Sequence, residues 1–195
     1  MYEVTGLHEE LSGFEPGTSA LVTGPDANER VYDAMAEANP EEGAILITTD
    51  DDARTALEEL TDRGMATDRL GIVDASGSDR GDTEIDGVPV RGLSSPADLT
   101  GISLEFSKLL SQFDDSGVDQ VRVGFTSLST LLMYAELRTV FRFLHVFSSR
   151  IRSASLLAMF AVTPDMHEAK TMSTIRTVFD CEIRLGDGVY GTGYE

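Results

Sequence analysis

The segment Ser19-Ala-Leu-Val-Thr-Gly-Pro-Asp-Ala-Asn-Glu-Arg-Val31 has the layout of a phosphate-binding loop. A short apolar strand (Ala20, Leu21, Val22) runs into Gly24-Pro25, and a helix-like stretch follows. In the working pattern G-x-x-x-x-G-K-[ST], backbone N–H groups cradle the phosphates, the Lys adds a positive charge and the hydroxyl holds magnesium. Here Gly24 keeps the first Gly, while Glu29, Arg30 and Val31 stand at the second Gly, the Lys and the Ser/Thr. Arg30 offers a planar cation of different reach. Val31 has no hydroxyl, and Asp26 and Glu29 place negative charge where phosphates would lie. The competing reading is an ordinary strand-to-helix turn with Asp26 or Asn28 as N-cap. That turn is the expectation.

A second group is Asp50-Asp51-Asp52, at the end of a second apolar strand. In a parallel sheet the carboxyl ends of the strands form the ligand crevice. A carboxylate there could act as general base on an attacking water. It could equally open a helix, favoured by the helix dipole. A third group is Val121-Arg-Val-Gly-Phe-Thr-Ser-Leu-Ser-Thr-Leu-Leu132. An ATPase needs a carboxylate at the end of such a strand to hold magnesium. Thr126 stands there, a poor ligand for a hard cation, and core packing is expected of it. His8, His145 and His167 are scattered; His145 is expected to pack among aromatics, and His167 to pack at a helix start. Ser127 and Ser129 lack the G-x-S-x-G elbow of a serine hydrolase. Cys181 is expected to be a buried small hydrophobe.

The elements that must position these residues alternate along the chain. Strands are expected at about 19–23, 44–48, 70–74, 120–125, 154–162 and 179–185. Helices are expected at about 28–38, 50–63, 97–113, 127–134, 136–152 and 165–177. Residues 1–18 read as a lead-in. Asp86-Gly87 marks a small hairpin or extended excursion within 84–90. Leu99, Ile102, Phe106, Leu109 and Phe113 recur at steps of three and four, as on one face of a helix, with Ser94 or Ser95 as its N-cap. Val140, Phe143, Leu144, Phe147 and Ile151 do the same on the next long helix. This order predicts an α/β domain with a mostly parallel central sheet and helices on both faces.

Composition bounds the function. At 195 residues the chain suits one domain with a full core. One Cys excludes a disulfide framework within one chain. Neither a membrane-length apolar run nor a signal peptide is read in the sequence, so a cytoplasmic location is expected. The formal net charge is −19, and only two of the 15 basic residues, Lys108 and Lys170, are lysines. An acidic, Lys-poor surface spread along the whole chain is the expected adaptation to a salt-rich cytoplasm, where the Debye length falls to a few Å. An acidic partner-binding surface is the alternative. Nucleic-acid binding is not expected, since the basic footprint is missing.

Three segments carry a family likeness. Phe14-Glu-Pro-Gly-Thr-Ser-Ala-Leu-Val-Thr-Gly-Pro25 resembles the approach to the Walker A loop of RecA-superfamily ATPases of the KaiC and RadA type. Thr48-Thr-Asp-Asp51 resembles the strand end that carries their paired catalytic glutamates. The segment from Val121 to Leu132 resembles their Walker B strand. The order covers roughly residues 5–185 and is similar to that of acidic haloarchaeal KaiC-like paralogues without intact Walker motifs. The resemblance implies a three-layer RecA-like domain over residues 1–195, with a core at about 5–185 and a short turn or strand at 186–195. Residue by residue, Arg30 falls on the Walker Lys, Val31 on the Ser/Thr, Thr126 on the magnesium Asp, and Asp50 and Asp51 on the glutamate pair. The expected function is a non-catalytic, regulatory or signalling interaction protein with no cofactor, acting through a protein partner or self-association. On this reading Gly24, Pro25, Arg30, Val31 and Thr126 bind nothing. The alternative is a divergent ATPase that binds ATP and Mg2+ through Arg30 and hydrolyses ATP with Asp50 or Asp51.

Overall fold

The computed structural model describes residues 1–8, 11–78, 81–186 and 188–191. Its centre is a nine-stranded sheet. Among the described residues the strands, in chain order, are β1 (Tyr2–Glu3), β2 (Gly13–Phe14), β3 (Thr18–Thr23), β4 (Gly43–Thr48), β5 (Leu70–Asp74), β6 (Asp82–Ile85), β7 (Val88–Gly92), β8 (Val121–Thr126), β9 (Leu157–Val162), β10 (Cys181–Arg184) and β11 (Gly188–Gly191). Across the sheet the order is β11-β10-β3-β9-β8-β4-β5-β7-β6, while β1 and β2 form a separate ladder. From β10 to β7 all neighbours are parallel. Only the edge pairs β10–β11 and β6–β7 are antiparallel. The small hairpin foreseen at 84–90 is therefore part of the sheet, its second strand running parallel to β5.

The helices are α1 (Ala27–Ala36), α2 (Ala53–Asp62), α3 (Leu99–Asp115), α4 (Leu128–Tyr134), α5 (Leu137–Ser153) and α6 (Ala169–Arg176). They divide by face. The strands read as continuous apolar runs because both faces are covered, yet period two still sorts their side chains. Leu21, Ile45, Ile47, Val123, Phe125 and Phe160 join α3, α4, α5 and α6 on one side. Ala20, Val22, Ala44, Leu46, Ile72 and Met159 join α1 and α2 on the other. The first side is aromatic: Phe106, Phe125, Phe143, Phe147, Phe160 and Phe179 form a chain of rings with centroids 4.7–6.3 Å apart. The second side is packed closer. A Cβ at Gly124 would come within 2.8 Å of Met35, so a glycine in β8 lets α1 lie against the strand.

Several local expectations shift. The N-cap of α3 is Asp98, whose Oδ1 accepts the Gly101 N–H at 2.8 Å. Ser95 accepts from Ala97 instead. The stretch expected as a helix at 165–177 splits into a 3-10 turn, Pro164–Met166, and α6. β9 begins only at Leu157. His145 does not pack inside: it is exposed on α5 and stacks on Phe141 at 6.3 Å. Cys181 is only half-buried, and burial pushes its thiol up to about 11.

The amino ends of the strands are fastened by the first residues of the chain. The buried Tyr2 hydroxyl lies 3.2 Å from the carbonyl oxygens of Val121 and Ser155 and accepts the Val121 N–H. Arg122 is fully buried. Its Nε donates to Glu42 Oε2 at 2.7 Å, its Nη2 to the Glu3 carbonyl at 3.1 Å, and its Nη1 to the Ala34 carbonyl. Glu42 is also buried and takes a further bond from Asn39 at 2.7 Å. One guanidinium thus joins β1, α1, β8 and the approach to β4.

Candidate functional site at the carboxyl edge of the sheet

Strand register builds this edge. Thr23 is level with Val162, and Thr126 and Asp74 are level with Thr48. The three sequence segments singled out for chemistry therefore converge. Thr49 ties two of them: its hydroxyl donates to the Ser127 carbonyl at 2.7 Å and accepts the Ser127 N–H at 2.8 Å.

The connection from β3 to α1 consists of residues 24–26 alone. Gly24 has φ +144°, a conformation that L side chains rarely adopt, and Leu185 lies 3.1 Å from where its Cβ would be. Pro25 and Asp26 are exposed. Asp26 holds the N-cap position, with its carbonyl accepting the Arg30 N–H at 3.1 Å but no cap bond from its side chain. Arg30 therefore lies in the first turn of α1. Its guanidinium reaches Asp33 at 3.3 Å and lines an open cleft of about 480 Å³ with residues 5–8 and Gly186. Glu29 pairs with Arg63, which also holds Asp33 and Glu59. Val31 is fully buried among the residues beneath α1.

The residues of α1 that do face the strand ends are Asn28 and Tyr32. Asn28 Nδ2 donates to Asp50 Oδ2 at 2.6 Å, and the Tyr32 hydroxyl donates to Asp51 Oδ2 at 3.1 Å. Arg63 covers the Tyr32 ring at 5.4 Å. Burial, then the neighbouring Asp50 charge, raises the pKa of Asp51. Burial and the Asp51 charge likewise raise that of Tyr32. Thr126 is buried on the same edge, and its hydroxyl has no hydrogen-bond partner among the described residues. Asp52 is apart from this group and caps α2 through the Thr55 N–H at 2.9 Å.

Sequence reasoning gave Asn28 only a capping role and passed over Tyr32 and Asp74. Asn28 and Tyr32 stand four apart, which puts them on one helix face; that spacing was the available signal. Asp74 gave none beyond its place at a strand end. It is buried, and its carboxylate accepts the Ala53 N–H, the Ser76 N–H, and the Ser76 and Ser78 hydroxyls at 2.6–3.0 Å. It holds the start of α2 and the loop after β5. Glu182 is a further buried carboxylate, reached by Thr23 at 3.1 Å, Arg176 at 3.0 Å and Arg184 at 3.1 Å. Burial alone would raise its pKa; the two guanidinium groups outweigh that and hold it below the ordinary value.

The hydroxyls of Ser127 and Ser129 bond to backbone N–H groups of Thr130 and Thr163. His167 is half-buried behind the 3-10 turn, its pKa lowered by burial. Among the described residues no group of three His, Cys, Asp or Glu side chains is placed to hold a metal ion.

A family model of unknown function, DUF7504, matches residues 17–185. The chain belongs to that family. No curated protein matches it. Among solved structures, the uncharacterized protein PH0321 of Pyrococcus horikoshii, described as in complex with an unknown peptide, is similar with a TM-score of 0.70 and 16% identity. That match covers 96% of this chain and 87% of the other. The KaiC-like protein PH0186 of Pyrococcus horikoshii OT3 is similar with a TM-score of 0.65 and 14% identity over 92% of this chain and 76% of the other. This DUF7504 chain thus has a KaiC-like, RecA-type fold: a mostly parallel sheet with helices on both faces. Among the described residues no helix is long and apolar enough to cross a membrane.

Proposed function

We infer that this DUF7504 chain is a RecA/KaiC-like interaction domain that acts by binding a protein partner and does not hydrolyse ATP. The observation that carries this reading is the geometry of the turn after β3. Residues 24–26 lead straight into α1, Arg30 turns to Asp33, and Val31 is buried. A triphosphate with magnesium fits such an edge poorly. No hydroxyl is offered at Val31, and the side chains that reach the strand ends from α1 are Asn28 and Tyr32, already bonded to Asp50 and Asp51. Two adjacent carboxylates repel phosphate oxygens. The bound peptide of the similar PH0321 structure supports a protein segment as the kind of ligand. The acidic, Lys-poor composition supports a salt-rich archaeal cytoplasm as the setting.

Isothermal titration with ATP and magnesium in molar KCl tests this reading, and no heat of binding is expected. Micromolar binding that weakens in Arg30→Ala would overturn it. One observation favours the second reading, a divergent ATPase. Asp51 has a raised pKa at the carboxyl end of β4, as a general base for water would need. That reading requires phosphate release that disappears in Asp51→Asn.

A further inference from the structure

Two hollows open at the amino edge of the sheet, the end opposite the candidate site. One, of about 350 Å³, is lined by Leu110, Val118, Val121 and Leu156, with Asp114 beside them. Val118, Val121 and Leu156 are buried, so its floor is apolar. The other, of about 500 Å³, is polar, with Asn39, Glu41, Arg69 and Gln120 in its wall. Each lies in the range of about 300–1,000 Å³ that small-molecule sites occupy. Asp119 lines both. The chain runs Val118-Asp119-Gln120 into β8, with Val118 in the apolar hollow and Gln120 in the polar one. Asp119 therefore stands where the two meet.

The sheet sets the walls of the polar hollow. Gly43 is level with Val121, and Ala44 with Leu70. Gln120 and Arg69 thus precede the strands on either side of β4, about 10 Å apart across two strand spacings. Both are held by backbone bonds: the Gly43 N–H donates to the Gln120 carbonyl and the Ala44 N–H to the Arg69 carbonyl, each at 2.8 Å. The Arg69 guanidinium donates through Nη1 to the Glu41 carbonyl, which anchors the cation at this edge. Asn39 is spent, its amide on Glu42 and its oxygen on the Glu41 and Glu42 N–H groups. Arg69 and Asp119 are both exposed and share the hollow, and among the described residues they form no ion pair with one another. The groups left to meet a ligand are one guanidinium, the Asp119 and Glu41 carboxylates and the Gln120 amide.

A small molecule lying across both hollows needs three things: an apolar group for one, a negative group for Arg69 in the other, and a positive group for Asp119 between them. An α-amino acid carries all three on a single carbon. We propose that the amino edge binds a free α-amino acid with an apolar side chain, its ammonium on Asp119, its carboxylate on Arg69 and its side chain among Leu110, Val118 and Leu156. A guanidinium suits the carboxylate because two parallel N–H donors can meet its two oxygens. Glu41, the second acid in the polar hollow, disfavours a ligand of net negative charge. The proposal goes beyond the partner-binding reading and uses residues at the opposite edge of the sheet. Its failure leaves the ATP titration untouched, and the reverse.

Isothermal titration of the full chain with L-phenylalanine and L-leucine in molar KCl tests it. Dissociation constants below about 1 mM are expected. Glycine lacks the side chain, phenylalanine amide the carboxylate and N-acetylphenylalanine the ammonium; each should bind at least about tenfold more weakly than phenylalanine. Asp119→Asn and Arg69→Gln should each weaken phenylalanine binding about tenfold while melting like the wild type. No heat of binding with either amino acid overturns the proposal. So does an affinity for phenylalanine that is unchanged in both variants. N-acetylphenylalanine amide binding as tightly as phenylalanine also overturns it, by marking the hollows as a seat for a protein segment.

Discussion

At the amino end of the sheet, charged groups of opposite sign are buried together; at the carboxyl end, Asp50 and Asp51, of like sign, stand together within reach of solvent. Arg122 and Glu42 lie out of water, and their remaining hydrogen-bonding atoms are taken by Glu3, Ala34 and Asn39. Asp50 and Asp51 have Asn28 and Tyr32 as partners, which donate hydrogen bonds but bring no positive charge. The difference separates two uses of charge in one fold. A buried pair is costly to dismantle from one side, because the remaining charge has no solvent to turn to. A solvent-facing like-charged pair is a local penalty that the rest of the structure carries, which is how a site open to a ligand differs from a structural joint.

The largest expected effect tests the first half of this contrast. Arg122→Ala should cost about 3–5 kcal/mol in urea denaturation, by stranding Glu42. The double variant Arg122→Met/Glu42→Leu should recover most of it. If the single variant cost no more than a surface substitution, the amino end would not be the joint described.

Glu182 sharpens the contrast, because it is a carboxylate near the carboxyl end that does have cations. Glu182→Gln should cost about 1–3 kcal/mol at neutral pH. Its folded pKa is depressed, so its contribution is present above the unfolded value and is lost as pH falls through the folded one. The gap between wild type and variant should therefore close on acidification, read as thermal midpoints across the acid range.

The smallest effect has the opposite sign. The folded pKa of Asp51 is raised, so the folded state holds its proton more tightly, and stability declines as pH rises through the window between the unfolded and folded values. Asp51→Asn should leave stability at neutral pH unchanged or raise it by about 0.5 kcal/mol, and should flatten that decline. A clear loss of stability would show that Asp51, like Arg122, is a structural joint.

Much of the layout was legible because apolar runs and three-to-four spacing are local. β5 falls on residues 70–74 as read, and the five residues marked on the buried face of α5 are all buried. Boundaries were less legible where short-range competitors act. Asp98 took the cap from Ser94 and Ser95, and the 3-10 turn at Pro164 displaced the start of α6. In the candidate site, positions 50, 51 and 126 do converge with the start of α1, but through Asn28 and Tyr32 rather than Arg30.

The sequence by itself determined the alternation of strands and helices, and with it the parallel sheet whose carboxyl edge gathers the polar segments. It also determined the acidic balance of the surface, which depends on composition alone. The tertiary structure decided which face of α1 turns to that edge. The rotation of a helix is set by the packing of Val31 and Met35 against Gly124, contacts some ninety residues apart in the chain. It also decided that Arg122 is an interior charge. A lone Arg in an apolar run becomes tolerable only when Glu42, Ala34 and Glu3 are brought to it from three other elements.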